Sequence, residues 1–165
     1  MQLSVFILEQ VRLSKMEKIN KLIRLHEGEV KTNGRHLAYR CPVGYWTIGI
    51  GRNVDPENGL GLSDDEVDYL LSNDIKRVTK ELDTAFPWFS ALNEARRDAL
   101  IDICFNIGLP RLKGFSNALA AMAEGKYTIA SLEFLDSLWA KQVGQRAKTV
   151  AGMISTGKYP DGFQQ

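Results

Sequence analysis

From Val30 to Gly51 the chain stops repeating its apolar residues at helical spacing and carries two turn signals instead. Asn33-Gly34 is the pair favoured where both central residues of a hairpin turn need positive φ. Cys41-Pro42-Val43-Gly44 suits a type I turn, with proline at its second position and glycine at its fourth. Beyond it Tyr45 to Ile50 alternates: Trp46, Ile48 and Ile50 point to one face, Tyr45, Thr47 and Gly49 to the other. So short a stretch supports only a small antiparallel sheet. The rest of the fold must come from helices.

Those helices are marked by their ends. Ser14 and Glu17 form a capping box ahead of a stripe of Ile19, Leu22, Ile23 and His26, and the helix is predicted to stop near Glu27 with Gly28 just past its end. A second box, Ser63 with Glu66, opens a long helix over about 64–83. Its stripe is Val67, Leu70, Leu71, Asp74, Ile75, Val78 and Leu82, and Pro87 bars it from continuing. Asn93 is placed to cap a helix with Leu100, Ile103, Cys104 and Ile107 on one side, stopped by Gly108 and Pro110. Shorter helices are predicted near 116–124, 128–139 and 145–155. The expected class is α+β and mainly helical. A sheet lobe (about 28–62) is joined by the long helix to a helical lobe (about 84–160), with a cleft between them. Residues 1–15 read as a helical N-terminal extension to a domain over 16–165.

With 165 residues, 44% of them apolar, the chain can bury a core as one domain or two lobes. A net charge of +1 argues against a strongly electrostatic partner such as DNA. Two distant cysteines make no disulfide framework, which points to reduced thiols and synthesis in the cytoplasm. Val5-Phe6-Ile7-Leu8 looks briefly like an export signal or weak signal-anchor, but Glu9, Gln10 and Arg12 interrupt it. No run is long enough to span a bilayer. His26 and His36 lack zinc spacing to either cysteine. In an EF-hand register Gly59 and Leu60 fall on the wrong positions, so no metal is expected.

Three groups within the sheet region have chemistry to offer. Glu27 sits at a helix C-terminus, where the negative end of the macrodipole disfavours its charged form and suits a proton donor. If the Pro42 turn closes the hairpin, Cys41 lies opposite Tyr45 and Tyr39 opposite Thr47. Cys41 and Thr47 are then diagonal neighbours on one face, roughly 7–8 Å apart at the backbone, with room for a water between their side chains. Taken alone, Glu27 reads more readily as a solvated helix-end carboxylate and Thr47 as an ordinary β-former. Cys41 reads as nucleophile, thiolate base or packed residue. Cys104 lies on an apolar stripe and reads as core. Asn106 stands just off that stripe, Arg146 suits a carboxylate partner, and Trp139 reads as a core or interlobe residue.

LIRLHEG followed by YRCPVGYWTIGIGRN, with the later FNIG, LKGFSNAL, LWAKQVGQRAKTV and STGKY, resembles the phage-type lysozymes of glycoside hydrolase family 24. The likeness runs from about Met16 to about Tyr159. It implies an N-acetylmuramidase that needs no cofactor and cleaves the β-1,4 bond between N-acetylmuramic acid and N-acetylglucosamine. By resemblance Glu27 is the general acid, and Thr47 helps hold the attacking water. Asn106 contacts substrate, and Arg146 pairs with and steadies the acid. Tyr45 is a further expected substrate contact. Cys41 stands where well-known members carry aspartate. Two further departures are a longer stretch between acid and thiol, which Asn33-Gly34 accounts for, and Arg52 in place of a histidine that often packs near the acid.

The implied partners are peptidoglycan and a phage holin that gives access to the wall. The chain is expected as a monomer, held in the host cytoplasm before release and acting in the periplasm. Competing readings are a thiol peptidase of peptidoglycan stems, with Cys41 and His36 as a dyad, and a glycan-binding module without activity.

Overall fold

The computed structural model describes residues 16–163. The expected helical extension over 1–15, and with it the Ser14 half of the first capping box, lies outside the described residues. The chain divides into two compact units, the first ending at Val67 and the second beginning at Asp68.

In the first unit, helix α1 (described over 16–27) ends at Glu27. Its last turn closes through the Gly28 N–H, which donates to the Arg24 carbonyl at 3.1 Å. Asn33 and Gly34 both take positive φ, 51° and 76°. Across them Thr32 and Arg35 exchange two backbone bonds of 2.9 and 3.0 Å. This turn carries one isolated bridge rather than paired arms. Strands β1 (Tyr39–Arg40), β2 (Trp46–Ile48) and β3 (Arg52–Asn53) then form an antiparallel sheet in that order. The Cys41–Gly44 turn closes with the Gly44 N–H donating to the Cys41 carbonyl at 2.8 Å. It pins Tyr39 opposite Thr47 and Arg40 opposite Trp46, the register that the turn residues imply.

The expected strand to Ile50 is corrected to one ending at Ile48. Gly49 and Gly51 lie at φ 65° and 73°, a backbone that no strand uses, so Gly49-Ile50-Gly51 turns the chain into β3. Arg52 then ties the sheet to the start of the long helix. Its guanidinium donates twice to Glu66, at 2.6 and 2.8 Å, and twice to the Gly61 carbonyl, at 2.9 and 2.7 Å. Glu66 also accepts the Ser63 N–H and hydroxyl at 2.9 and 3.0 Å. Helix α2 (Asp64–Ala85) opens on this second capping box.

The second unit holds the core. Along α2 only Val78 and Leu82 of the expected stripe are buried. Helix α3 (Glu94–Ile107) is capped by Asn93, whose side chain accepts the Arg96 N–H at 3.1 Å. Ala99, Leu100, Ile103 and Cys104 on α3 are buried at its centre. Gly108 ends α3, but Pro110 does not merely stop it. Proline is tolerated in a first helical turn, and here it begins α4 (Leu109–Leu112). Helices α5 (Ser116–Ala123), α6 (Tyr127–Leu135), α7 (Leu138–Val143) and α8 (Gln145–Thr156) complete the unit. The single helix expected near 128–139 is therefore two. Ser137 divides it: its hydroxyl donates to the Phe134 carbonyl at 2.7 Å and accepts the Ala140 N–H at 3.0 Å. Apolar spacing runs on through such a cap, which is why periodicity alone misses the break.

A titrating contact ties the end of this unit to α3. The Tyr159 hydroxyl donates to Asp98 at 2.5 Å. That bond, with burial and the Asp98 charge, pushes Tyr159 from 10 up to about 12. The folded chain thus keeps this proton after the unfolded chain has released it. The contribution is whole below pH 10 and is lost as pH rises from 10 towards 12. Tyr159→Phe is expected to shallow the fall in melting temperature over that window; parallel curves for the two proteins would refute a role for the bond.

Candidate active site

Glu27 is the exposed last residue of α1, and its carboxylate rests on the turn between β2 and β3. A methyl group at Gly51 would come within 2.8 Å of Glu27 Oε2 and 3.3 Å of its carboxyl carbon. The seat exists because Gly51 has no side chain. Neighbouring cations are engaged elsewhere in the unit. Arg24 bonds Glu29 and Asn20, Lys31 pairs with Glu29, and Arg52 is held by Glu66.

Cys41 begins the hairpin turn and is half-buried. Its N–H donates to the Tyr45 carbonyl at 2.9 Å, so the expected opposition of Cys41 and Tyr45 is present. Burial is the largest single influence on the thiol and pushes it up. Hydrogen bonds from the backbone of Val43, Tyr45 and Gly44 and from the Thr47 side chain outweigh burial and hold it below its ordinary value. The turn thus favours the charged form of the Cys41 thiol.

Thr47, at the middle of the central strand, is 4% exposed and pairs with Tyr39 on one side and Asn53 on the other. Its hydroxyl donates to the Tyr45 carbonyl at 3.2 Å and also lies within reach of the Cys41 sulfur. The oxygen lone pairs remain to accept from a water. Tyr45 offers its carbonyl to both neighbours while its side chain stays exposed.

His36 is not among the largest influences on the Cys41 thiol. Its Nδ1 is buried without a hydrogen-bond partner. Its charge bears instead on Glu29, which a hydrogen bond from Lys31 holds low against burial, with Arg24 and His36 adding to the effect. His36 Nδ1 therefore makes no hydrogen bond to Cys41 of the kind a dyad uses.

The remaining sequence candidates lie in the second unit. Asn106 is exposed, and its side-chain oxygen accepts the Trp139 indole N–H at 2.8 Å. Trp139 itself is buried, edge-on to Phe115 at 6.2 Å, as a core residue should be. Arg146 grips Asp102 with two bonds of 2.9 Å to its carboxylate and one of 3.2 Å to its carbonyl. Cys104 is buried and its thiol is pushed up by that burial.

Two contributors were not singled out by the sequence pattern. Asp102 holds Arg146, and Gly51 seats Glu27. Gly51 was visible as part of the Gly49-Ile50-Gly51 run, whereas Asp102 carried no local signal. Among the described residues no group of acidic, histidine and cysteine side chains is arranged to hold a metal. No described helix is long and apolar enough to cross a membrane.

Comparison with known proteins agrees with this architecture. A family model described as phage lysozyme matches residues 30–156. An endolysin of Acyrthosiphon pisum secondary endosymbiont phage 1 is 32% identical over 130 residues, 79% of this chain and 84% of the relative. The "Probable T4-type lysozyme 1" of Dictyostelium discoideum is 25% identical over 86% of this chain and 96% of its own length. The pre-baseplate central spike protein Gp5 of Enterobacteria phage T4 is 28% identical over 66% of this chain, in a segment that is 19% of the spike protein. A small sheet entered from a helix that ends in an acid, followed by a long helix and a helical unit, is the arrangement the sequence resemblance implies; with a family model covering most of its length, this chain belongs to the phage lysozyme family.

Proposed function

We propose that the chain hydrolyses the β-1,4 bond between N-acetylmuramic acid and N-acetylglucosamine in bacterial peptidoglycan, with Glu27 as general acid. The observation that carries this reading is the Glu27 carboxylate resting on the Gly51 turn, in the same compact unit as Cys41 and Thr47. Glu27 protonates the glycosidic oxygen, and that oxygen leaves as the alcohol of the departing sugar. Positive charge develops at the anomeric carbon. A water held by Thr47 adds there from the opposite face, and its proton passes to the Cys41 thiolate. Such a path inverts configuration and needs about 6.5–9.5 Å between the two catalytic groups for the water. Tyr45 and Asn106 as substrate contacts, and Arg146 as support for the acid, belong to the same proposal. So do a role in host lysis, a holin that admits the enzyme to the periplasmic wall, and a monomeric state.

The test is digestion of purified peptidoglycan. New reducing ends, first appearing as the α anomer by proton NMR, are expected. New amino groups would mean a peptidase, and sedimentation with walls without cleavage would mean a binding module.

Cys41 has its own expected result. Cys41→Ala should lower kcat/KM by up to about 100-fold, the lower end of the usual contribution of a general base, while Cys41→Asp should stay within about tenfold of the natural chain. In the natural chain activity should rise with pH as the thiol ionises, below the ordinary thiol range, and Cys41→Asp should move that limb to acid pH. A pH profile identical in both proteins would remove the thiolate from the mechanism.

A further inference from the structure

The hairpin has a second face that the proposed mechanism touches only at its edge, through Tyr45. Cys41 and Thr47 share one face, and alternation turns Arg40 and Trp46 to the other. These two residues are cross-strand partners. The Arg40 guanidinium lies 4.2 Å from the centre of the Trp46 ring. Beside them Asp55 accepts the backbone N–H groups of Trp46 and Glu57, each at 3.3 Å, and stands 3.8 Å from Arg40 Nη1. With Val43, Gly44 and Glu57 they border an open depression of about 390 Å³.

The chemistry of this depression is mixed in sign. Arg40 donates from Nη1 to the Gly44 carbonyl at 2.6 Å. A guanidinium carries five N–H donors in a planar fork, so others stay available for a carboxylate. Its seat on an indole face limits its freedom and strengthens its hold on a planar anion. A bare sugar is the poorer match, because the guanidinium covers the ring face on which a sugar would stack. The carboxylates of Asp55 and Glu57 suit an ammonium group. A ligand with both charges on one carbon fits the arrangement.

We infer that this depression binds the zwitterionic end of a diamino acid in the peptide stem of peptidoglycan, its carboxylate on Arg40 and its ammonium against Asp55 and Glu57. The inference rests on the muramidase reading for its substrate. Reach is sufficient. Three extended residues span about 10 Å, comparable with the roughly 10 Å from one sheet to the next packed against its face. The turn residues Val43 and Gly44 form the rim, so a stem can pass round the turn from one face to the other.

The probe is the free stem tripeptide L-alanyl-γ-D-glutamyl-meso-diaminopimelate, titrated into the full chain while the Trp46 indole signal is followed by NMR. A saturable shift is expected, weakened at least about tenfold by Arg40→Gln and several-fold by Glu57→Gln, in line with loss of a charge-assisted contact. In parallel, the ratio of kcat/KM on stem-bearing wall to that on the same glycan stripped of stems should fall about tenfold in Arg40→Gln. No shift in the natural chain, or an unchanged ratio in a folded Arg40→Gln, overturns the subsite. A natural chain that binds the tripeptide yet releases no reducing ends overturns the muramidase reading and leaves the subsite standing.

Discussion

Glu27→Gln is expected to lower kcat/KM on peptidoglycan by about 10²–10⁴-fold, the usual contribution of a positioned general acid, or roughly 3–5 kcal/mol of barrier. The amide keeps the shape of the carboxyl and its place on the Gly51 turn, but it has no acidic proton to give. The glycosidic oxygen then leaves unprotonated, as an alkoxide, which is far the poorer leaving group. Because Glu27 is exposed, the melting curve should hardly move, and the loss is one of chemistry rather than of folding. The measurement is release of reducing ends by the purified variant beside its thermal unfolding. A variant that clears walls as fast as the natural chain would sink the assignment.

Gly51→Ala carries the second largest effect, and here stability and activity should part company. The backbone at Gly51 is left-handed, φ 73°, so a side chain there costs about 1–2 kcal/mol. The new methyl would also meet Glu27 Oε2 at 2.8 Å. For the fold that clash is mild, because the far end of a glutamate swings aside easily. For catalysis it is severe, because the group that swings aside is the acid. A displacement near 1 Å in a reacting group can lower a rate about 10²-fold, and a loss of that order is expected. Gly49→Ala is the control. Its φ is 65° and nothing lies within 4 Å of its methyl position. It should lose similar stability and keep its activity. Equal losses of activity in the two variants would trace the effect to backbone strain and not to the seat of the acid.

The parts of the fold legible in the sequence were those decided within a few residues. Asn33-Gly34 turned as its composition requires. The Ser63–Glu66 box opened α2, and Asn93 capped α3. The Pro42 turn set the register of the hairpin, and the register put Cys41 and Thr47 on one face. In each case the residue that decides the structure lies within four positions of the bond it makes. Where one rule ran across another, the sequence misled. Apolar spacing continues through the Ser137 cap, and alternation continues into the Gly49–Gly51 turn, so periodicity alone overextends one helix and one strand.

What the sequence determined by itself was a small sheet entered from a helix, its turns, and the candidate groups Glu27, Cys41 and Thr47. Tertiary structure alone decided which of these groups touch and what holds the others. Glu27 meets Gly51, Arg52 takes Glu66, Trp139 donates to Asn106, and Arg146 grips Asp102. Every one of these contacts joins residues more than a dozen positions apart. Helix and strand periods govern which way a side chain points along its own element. Its partner depends on which other element packs there, and that depends on the burial of whole faces, to which no local pattern of residues refers.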